Sequence, residues 1–138
     1  MRFVDTNVLL YAVSTAAEEQ PKARLALSLL EGEDLALSVQ VLQEFYVQAT
    51  RSGKRDRLTH EQAALLIESF LRFPIRETTV NLVQAALAAK ARFRISYWDA
   101  AVIEAARAQG CHTILSEDLS HGQDYDGVKV VDPFRKGR

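Results

Sequence analysis

The 138 residues suit a single domain spanning positions 1–138, and 48% apolar with 25% charged side chains is ordinary globular composition, which excludes a disordered chain. Lysine and arginine total 17 against 18 acids, so a net charge of -1 excludes a general electrostatic pull toward nucleic acid and leaves only local attraction. A lone Cys111 excludes an intramolecular disulfide, while a carboxylate at Asp5 and the lack of any run near about 20 apolar residues argue against a signal peptide or membrane span, so a cytoplasmic protein is expected.

Phe3-Val4 predicts a short strand ending at Asp5-Thr6-Asn7, a group of helix-capping residues, after which Val8, Leu9, Tyr11 and Ala12 open a helical pattern. Leu25, Ala26, Leu29 and Leu30 repeat at helical spacing until Gly32. Leu35-Ala36-Leu37-Ser38 reads as the second strand. Val41, Leu42, Phe45 and Ala49 then mark one face of a helix, with Glu44 at its border and pointing near the core. A charged loop, 51–57, precedes Thr59, whose spacing to Gln62 predicts a capping box for a helix carrying Ala63, Leu66, Ile67, Phe70 and Leu71. Pro74 ends that helix and a weak strand candidate follows at 75–78. Val80, Val83 and Leu87 form the next helical stripe, reaching Ala91. Ser96 and Asp99 predict a second capping box, and the nearly apolar stretch from Trp98 to Ala108 predicts a central, buried helix stopped at Gly110. Cys111 to Leu115 reads as buried strand, and Val128 to Val131 supplies the last one. No repeat or low-complexity segment interrupts the pattern.

Strands alternating with helices of these lengths predict an α/β domain, a mostly parallel central sheet flanked by helices in three α/β/α layers. In such a sheet, helix amino termini gather at the edge where strands end, which is also where open α/β sheets bind ligands. Asp5 and Asp118 follow strands, and Glu44 and Asp99 lie in early turns of helices, so all four acids are expected at that edge. Singly, each has a structural explanation: a cap at Asp5, a capping-box partner at Asp99, a rim carboxylate at Glu44, a turn former at Asp118. Jointly they need a cation, because two unit charges about 4 Å apart repel by roughly 4 kcal/mol at an effective dielectric of 20. Helix dipoles offset only about 0.3–1 kcal/mol each. Hard divalent ions take oxygen ligands, so Mg²⁺ or Mn²⁺ is the expected cofactor. His60, His112 and His121 show no zinc-like spacing, although His121 follows the acidic turn closely enough to meet a substrate.

Four ordered motifs also carry a resemblance. Val4-Asp5-Thr6-Asn7-Val8-Leu9-Leu10-Tyr11, Gln43-Glu44-Phe45, Ser96-Tyr97-Trp98-Asp99-Ala100-Ala101 and Leu115-Ser116-Glu117-Asp118-Leu119 resemble PIN-domain ribonucleases, particularly VapC-type toxins of toxin-antitoxin pairs. The resemblance runs through to Val131-Asp132-Pro133-Phe134. It implies a Mg²⁺- or Mn²⁺-dependent endoribonuclease whose catalytic, metal-holding quartet is Asp5, Glu44, Asp99 and Asp118, supported by Asn7 and Ser116 through hydrogen bonds. It further implies products with a 5′-phosphate and a 3′-hydroxyl, a cognate antitoxin protein and a homodimer. Two positions depart from the pattern: Ser116 stands where threonine is common, and Glu117, where a polar residue is common, adds a fifth carboxylate that leaves direct and water-mediated ligands unassigned.

An acidic site must still attract RNA. Arg51, Lys54, Arg55 and Arg57 follow the Glu44 helix, and Lys90, Arg92 and Arg94 precede Asp99; either cluster is a candidate RNA contact or a solvated surface. Phe93, Tyr97 and Trp98 are candidates to stack an unpaired base, with Trp98 alternatively in the core. Rival functions are a noncatalytic RNA- or protein-binding module on the same fold, or a phosphoacceptor signalling domain, which would need an acceptor aspartate ending its third strand, where Ile75-Arg76-Glu77-Thr78 stands instead. No glycine motif for cradling phosphates appears.

Overall fold

Short apolar runs stopped by helix-capping side chains dictate the architecture seen in the computed structural model, which describes residues 1–135. Strand β1 (Arg2–Val4) stops at Asp5, whose carboxylate accepts the Thr6 N–H at 2.8 Å and starts helix α1 (Thr6–Ala12). A 3-10 turn at Ala17–Glu19 leads into α2 (Gln20–Leu30), with Pro21 in its first turn, where a missing N–H costs nothing. Strand β2 (Leu35–Ser38) passes directly into α3 (Val39–Ala49), the Ser38 hydroxyl accepting the Val41 N–H at 3.2 Å. Helix α4 (His60–Phe70) carries the complete Thr59–Gln62 capping box that the spacing predicts. Strand β3 is only Ile75–Arg76, shorter than the 75–78 candidate. Helix α5 (Val80–Phe93) ends on Arg94 in the left-handed region, φ 56°, and α6 (Tyr97–Ala108), β4 (Thr113–Leu115) and β5 (Lys129–Val131) complete the chain order.

All pairings between these strands are parallel, in the order β3-β2-β1-β4-β5. Phe3 of β1 stands level with Ala36 on one side and Ile114 on the other. Every residue of β2 is buried, which requires cover on both faces and matches a sheet sandwiched between helices. Helix α1 packs against α2 and α3, and α3 against α4, whereas α5 and α6 pack on one another, with α6 against β2 and β4. Ala86, Ala89, Ala100 and Ala101 form the α5–α6 seam, where small side chains let two helices approach closely. The fold is the three-layer α/β/α arrangement expected.

Two local expectations are corrected. Ser96 accepts the Asp99 N–H at 3.1 Å, but the structure shows no return bond from the Asp99 carboxylate, so only half of the second capping box forms. Trp98 is not part of the buried face of α6: it is 63% exposed, although Tyr97 and Ala100 of the same turn pack against α5. Among the described residues, no helix is long and apolar enough to cross a membrane.

Candidate active site

The strand order fixes where a ligand can enter. From central β1 the sheet grows to β2 and β3 on one side and to β4 and β5 on the other, so a crevice forms beyond the ends of β1 and β4. Asp5 leaves the first of these strands and Ser116 the second. The Asp5 N–H donates to the Leu115 carbonyl at 3.0 Å, and the Ser116 N–H to that of Val131 at 3.1 Å.

Asp5 is only 8% exposed, and its carboxylate is held on both oxygens. Oδ1 takes the Thr6 N–H, while Oδ2 accepts the Ser116 hydroxyl at 2.7 Å and the Asn7 amide at 3.4 Å. That amide also lies 3.3 Å from the Ser116 Oγ, and the Asn7 Oδ1 accepts the Glu117 N–H at 3.0 Å. Ser116 Oγ in turn accepts the N–H groups of Asp118 at 3.1 Å and Leu119 at 3.2 Å. Asn7 and Ser116 thus tie Asp5 to the 116–119 turn across more than a hundred positions of sequence. Burial raises the Asp5 pKa to about 6 against the pull of the Ser116 and Thr6 bonds, with the negative charges of Asp118 and Glu44 pushing further.

A cleft of about 330 Å³ opens here, lined by Asn7, Glu44, Glu117 and Asp118 on its acidic side and by Arg51 and Lys54 opposite. Asp118 is exposed at its edge, and Glu44 is half-buried, its Oε1 accepting from Gln40 Nε2 at 3.1 Å. The same Gln40 nitrogen lies 3.4 Å from the Trp98 carbonyl, which draws the start of α6 toward Glu44. Asp99 does not line the cleft. It is half-buried in the first turn of α6, where its charge, after the larger effect of burial, helps raise the pKa of Tyr125. Of the four acids, Glu44 and Asp118 therefore line the cleft, Asp5 lies buried within reach of both their charges, and Asp99 stands outside it.

The fifth carboxylate is diverted. Glu117 accepts the Tyr11 hydroxyl at 2.5 Å and pairs with the Lys22 ammonium, which also lies 4.8 Å from the centre of the Tyr11 ring. Burial pushes the Glu117 pKa up, but the Lys22 and Tyr11 bonds and the Lys22 charge outweigh it and leave the group below its ordinary value. Phe134 packs edge-on against Tyr11 at 4.9 Å, so the segment after β5 braces this cluster. His121 accepts the Asp132 N–H through Nδ1 at 3.0 Å, fixing that segment instead of facing the cleft. Tyr11, Lys22 and Gln40 were not among the site residues expected from the sequence, Tyr11 being read only as part of a helical face and of the first motif. Gln40 had a readable signal, one helical turn before Glu44, but nothing local links Lys22 to Glu117, 95 positions away.

A divalent cation can be tested against this donor set. In kind the residues fit: the oxygens are hard, the buried Asp5 has no ion pair among the described residues, and the Thr6 Oγ1 beside the cleft is buried with no hydrogen-bond partner among them. In arrangement the donors are open, since no three His, Cys, Asp or Glu side chains among the described residues are grouped closely enough to hold an ion. Glu44 is instead drawn to Gln40 and Glu117 to Lys22.

The basic clusters separate on the same geometry. Arg51 and Lys54 face the cleft, Lys54 being paired with Asp56 at 2.6 Å. Arg55 leans 3.5 Å from Glu18, and Arg92 pairs with Asp126 at 2.9 Å on the far side of α5.

The sequence matches the PIN domain family over residues 2–123. No curated protein sequence matches the chain. Several solved structures share its fold. A toxin-antitoxin complex from Klebsiella pneumoniae superposes with a TM-score of 0.70 at 19% identity, covering 97% of this chain and 98% of that one. VapC20 of Mycobacterium tuberculosis, a toxin that cleaves the sarcin-ricin loop, gives 0.65 at 19% identity, with 86% and 90% coverage. VapBC2 from Rickettsia felis, bound to a DNA fragment from its promoter, gives 0.63 at 18% identity, with 94% and 96% coverage.

Proposed function

Because the chain belongs to the PIN-domain family, we propose that it is a divalent-metal-dependent endoribonuclease and the toxin of a toxin-antitoxin pair. The observation that carries this reading is the Asp5 carboxylate: fixed by Ser116 and Asn7 at the crevice between β1 and β4, its pKa raised to about 6 chiefly by burial, with the charges of Asp118 and Glu44 adding to it. Buried charges are normally paired, so a carboxylate held this way calls for a cation. Asp5, Glu44 and Asp118 would hold Mg²⁺ or Mn²⁺, with Asp99 reaching in from the start of α6. When bound, such an ion acidifies the attacking water and offsets charge on the phosphate.

The protein's own groups do the rest. Asn7 and Ser116 keep the Asp5 oxygens in place, a cleft carboxylate takes the proton lost by the water, and Lys22 and Tyr11 keep Glu117 from crowding the cleft with further charge. Water adds to phosphorus as the P–O3′ bond breaks in line, leaving a 5′-phosphate on one fragment and a 3′-hydroxyl on the other. One of the structural neighbours is a toxin-antitoxin complex, which supports a protein partner that restrains this chain. A homodimer is part of the same proposal, and light scattering with co-purification of the neighbouring gene product examines both.

A second reading, a PIN-fold binding module without catalysis, draws on the open spacing of the acids and the place of Asp99 outside the cleft. One experiment separates the two: structured and unstructured RNAs incubated with protein in Mg²⁺, Mn²⁺ or EDTA, beside Asp5→Asn and Asp99→Asn. Cleavage that requires the metal and both acids supports the nuclease. Cleavage that survives EDTA or both substitutions rejects it, and metal-independent binding without cleavage establishes the module.

A further inference from the structure

The acidic cleft does not end at Glu44. A second cavity, about 310 Å³, lies directly alongside, lined by Gln40, Gln43, Val47 and Trp98 and sharing Glu44 and Gln48 with the first. Trp98 and Val47 are each 63% exposed, and the indole is held edge-on by Tyr97 with ring centres 5.1 Å apart, so one broad aromatic face is fixed next to solvent. Gln43 and Gln48 are exposed, and their amides make no hydrogen bond among the described residues. On the other side of Gln48, Arg51 faces the acidic cleft with no ion pair among the described residues, whereas Lys54 is already engaged by Asp56. Glu44, Gln48 and Arg51 stand at helical intervals of four and three along and just past α3, which makes them one continuous stripe.

We propose that single-stranded RNA crosses α3 along this stripe, with a backbone phosphate on Arg51 and an unpaired base stacked on Trp98. The inference rests on the ribonuclease reading of the cleft and adds the path of its substrate. Each requirement of an unpaired nucleotide is met by a different group. The guanidinium takes two phosphate oxygens at once, the indole offers a stacking face to any base, and the free amides of Gln43 and Gln48 can bond base edges. A duplex would keep its bases stacked on one another and could not present one to Trp98, so the path selects loops and unpaired strands. A protein segment seated on Trp98 would use the apolar surface but leave Arg51 and the amides unexplained.

Trp98 is the only tryptophan in the chain, so its emission reports this site alone. The test titrates a mixed-sequence single-stranded RNA, the same RNA as a blunt duplex, and inorganic polyphosphate into an Asp118→Asn protein with Mg²⁺ present to limit turnover. The single strand is expected to quench Trp98, and the duplex and polyphosphate to leave it nearly unchanged. Trp98→Leu should weaken single-strand binding by at least about fivefold, with an unaltered salt dependence. Arg51→Gln should reduce the slope of log affinity against log salt by about 0.7, the value for one phosphate on a single strand, while Arg92→Gln leaves it unchanged. Quenching equal for duplex and polyphosphate, or Trp98→Leu and Arg51→Gln binding as tightly as the parent, overturns the path. Emission that ignores RNA but shifts with a co-purified protein also overturns it and gives the surface to that partner. The two readings fail separately: RNA cleaved in Mg²⁺ without these effects removes only the path, whereas RNA neither bound nor cleaved removes both.

Discussion

At the scale of single residues, Asp5 couples fold and function most tightly. Its carboxylate sits near pH 6 in the folded protein, chiefly through burial, against an ordinary value of 3.8 in the unfolded chain. The folded state therefore binds this proton more tightly, so the group's contribution favours folding fully below about 3.8 and is lost as pH rises through about 6. Ionised Asp5 should cost the metal-free protein up to about 3 kcal/mol. Urea denaturation in EDTA at pH 5 and pH 7.5 should show wild type losing more stability than Asp5→Asn across that interval, and saturating Mg²⁺ should narrow the gap at the higher pH. Equal pH dependence of the two proteins would contradict the burial account. Asp5 was legible because capping chemistry marks a strand-to-helix turn, and Asn7 and Ser116 through the resemblance their motifs carry. The direction of Glu117 was not, since a sequence shows a fifth acid but not the Lys22 ammonium that folding brings to it.

Secondary structure was read most securely where a local side chain satisfies backbone groups. Thr59 with Gln62 is the clear case, and replacing Thr59 by alanine should cost about 1 kcal/mol by removing an acceptor for the Gln62 N–H. The carboxyl end of α5 offers the converse: Arg94 adopts φ 56°, a region that crowds a Cβ, so Arg94→Gly should stabilise by up to about 1 kcal/mol. Thermal denaturation of the two variants should move the midpoint in opposite directions. Elements defined by long-range pairing were harder to bound. β3 shrank to two residues because its extent depends on the length of β2 beside it, not on its own composition. Trp98 was assigned to a buried face because hydrophobicity marks an apolar position and not whether another element covers it.

For the molecule as a whole, alternation of strands and helices gave the layers, but the order β3-β2-β1-β4-β5 had to be seen. That order places the crevice between β1 and β4 and makes Asp5, Ser116 and Asp118 neighbours. Distant segments are also fastened on the opposite wall. Asp56 accepts from Lys54 at 2.6 Å and from the Thr15 N–H at 3.0 Å, and these bonds, led by that of Lys54, lower its pKa to about 2. The fastening clamps the arginine-rich 51–57 loop onto the turn after α1 and holds at any pH well above that value. Trypsin cuts after lysine and arginine, and four such residues crowd this loop. Limited digestion should consequently spare wild type and nick Asp56→Ala between Arg51 and Arg57, with a rate unaffected between pH 6 and 9 once the protease's own profile is divided out. Rapid nicking of both proteins would mean that the clamp does not hold the loop. Proteolytic resistance here thus becomes a direct gauge of whether the wall carrying Arg51 is standing.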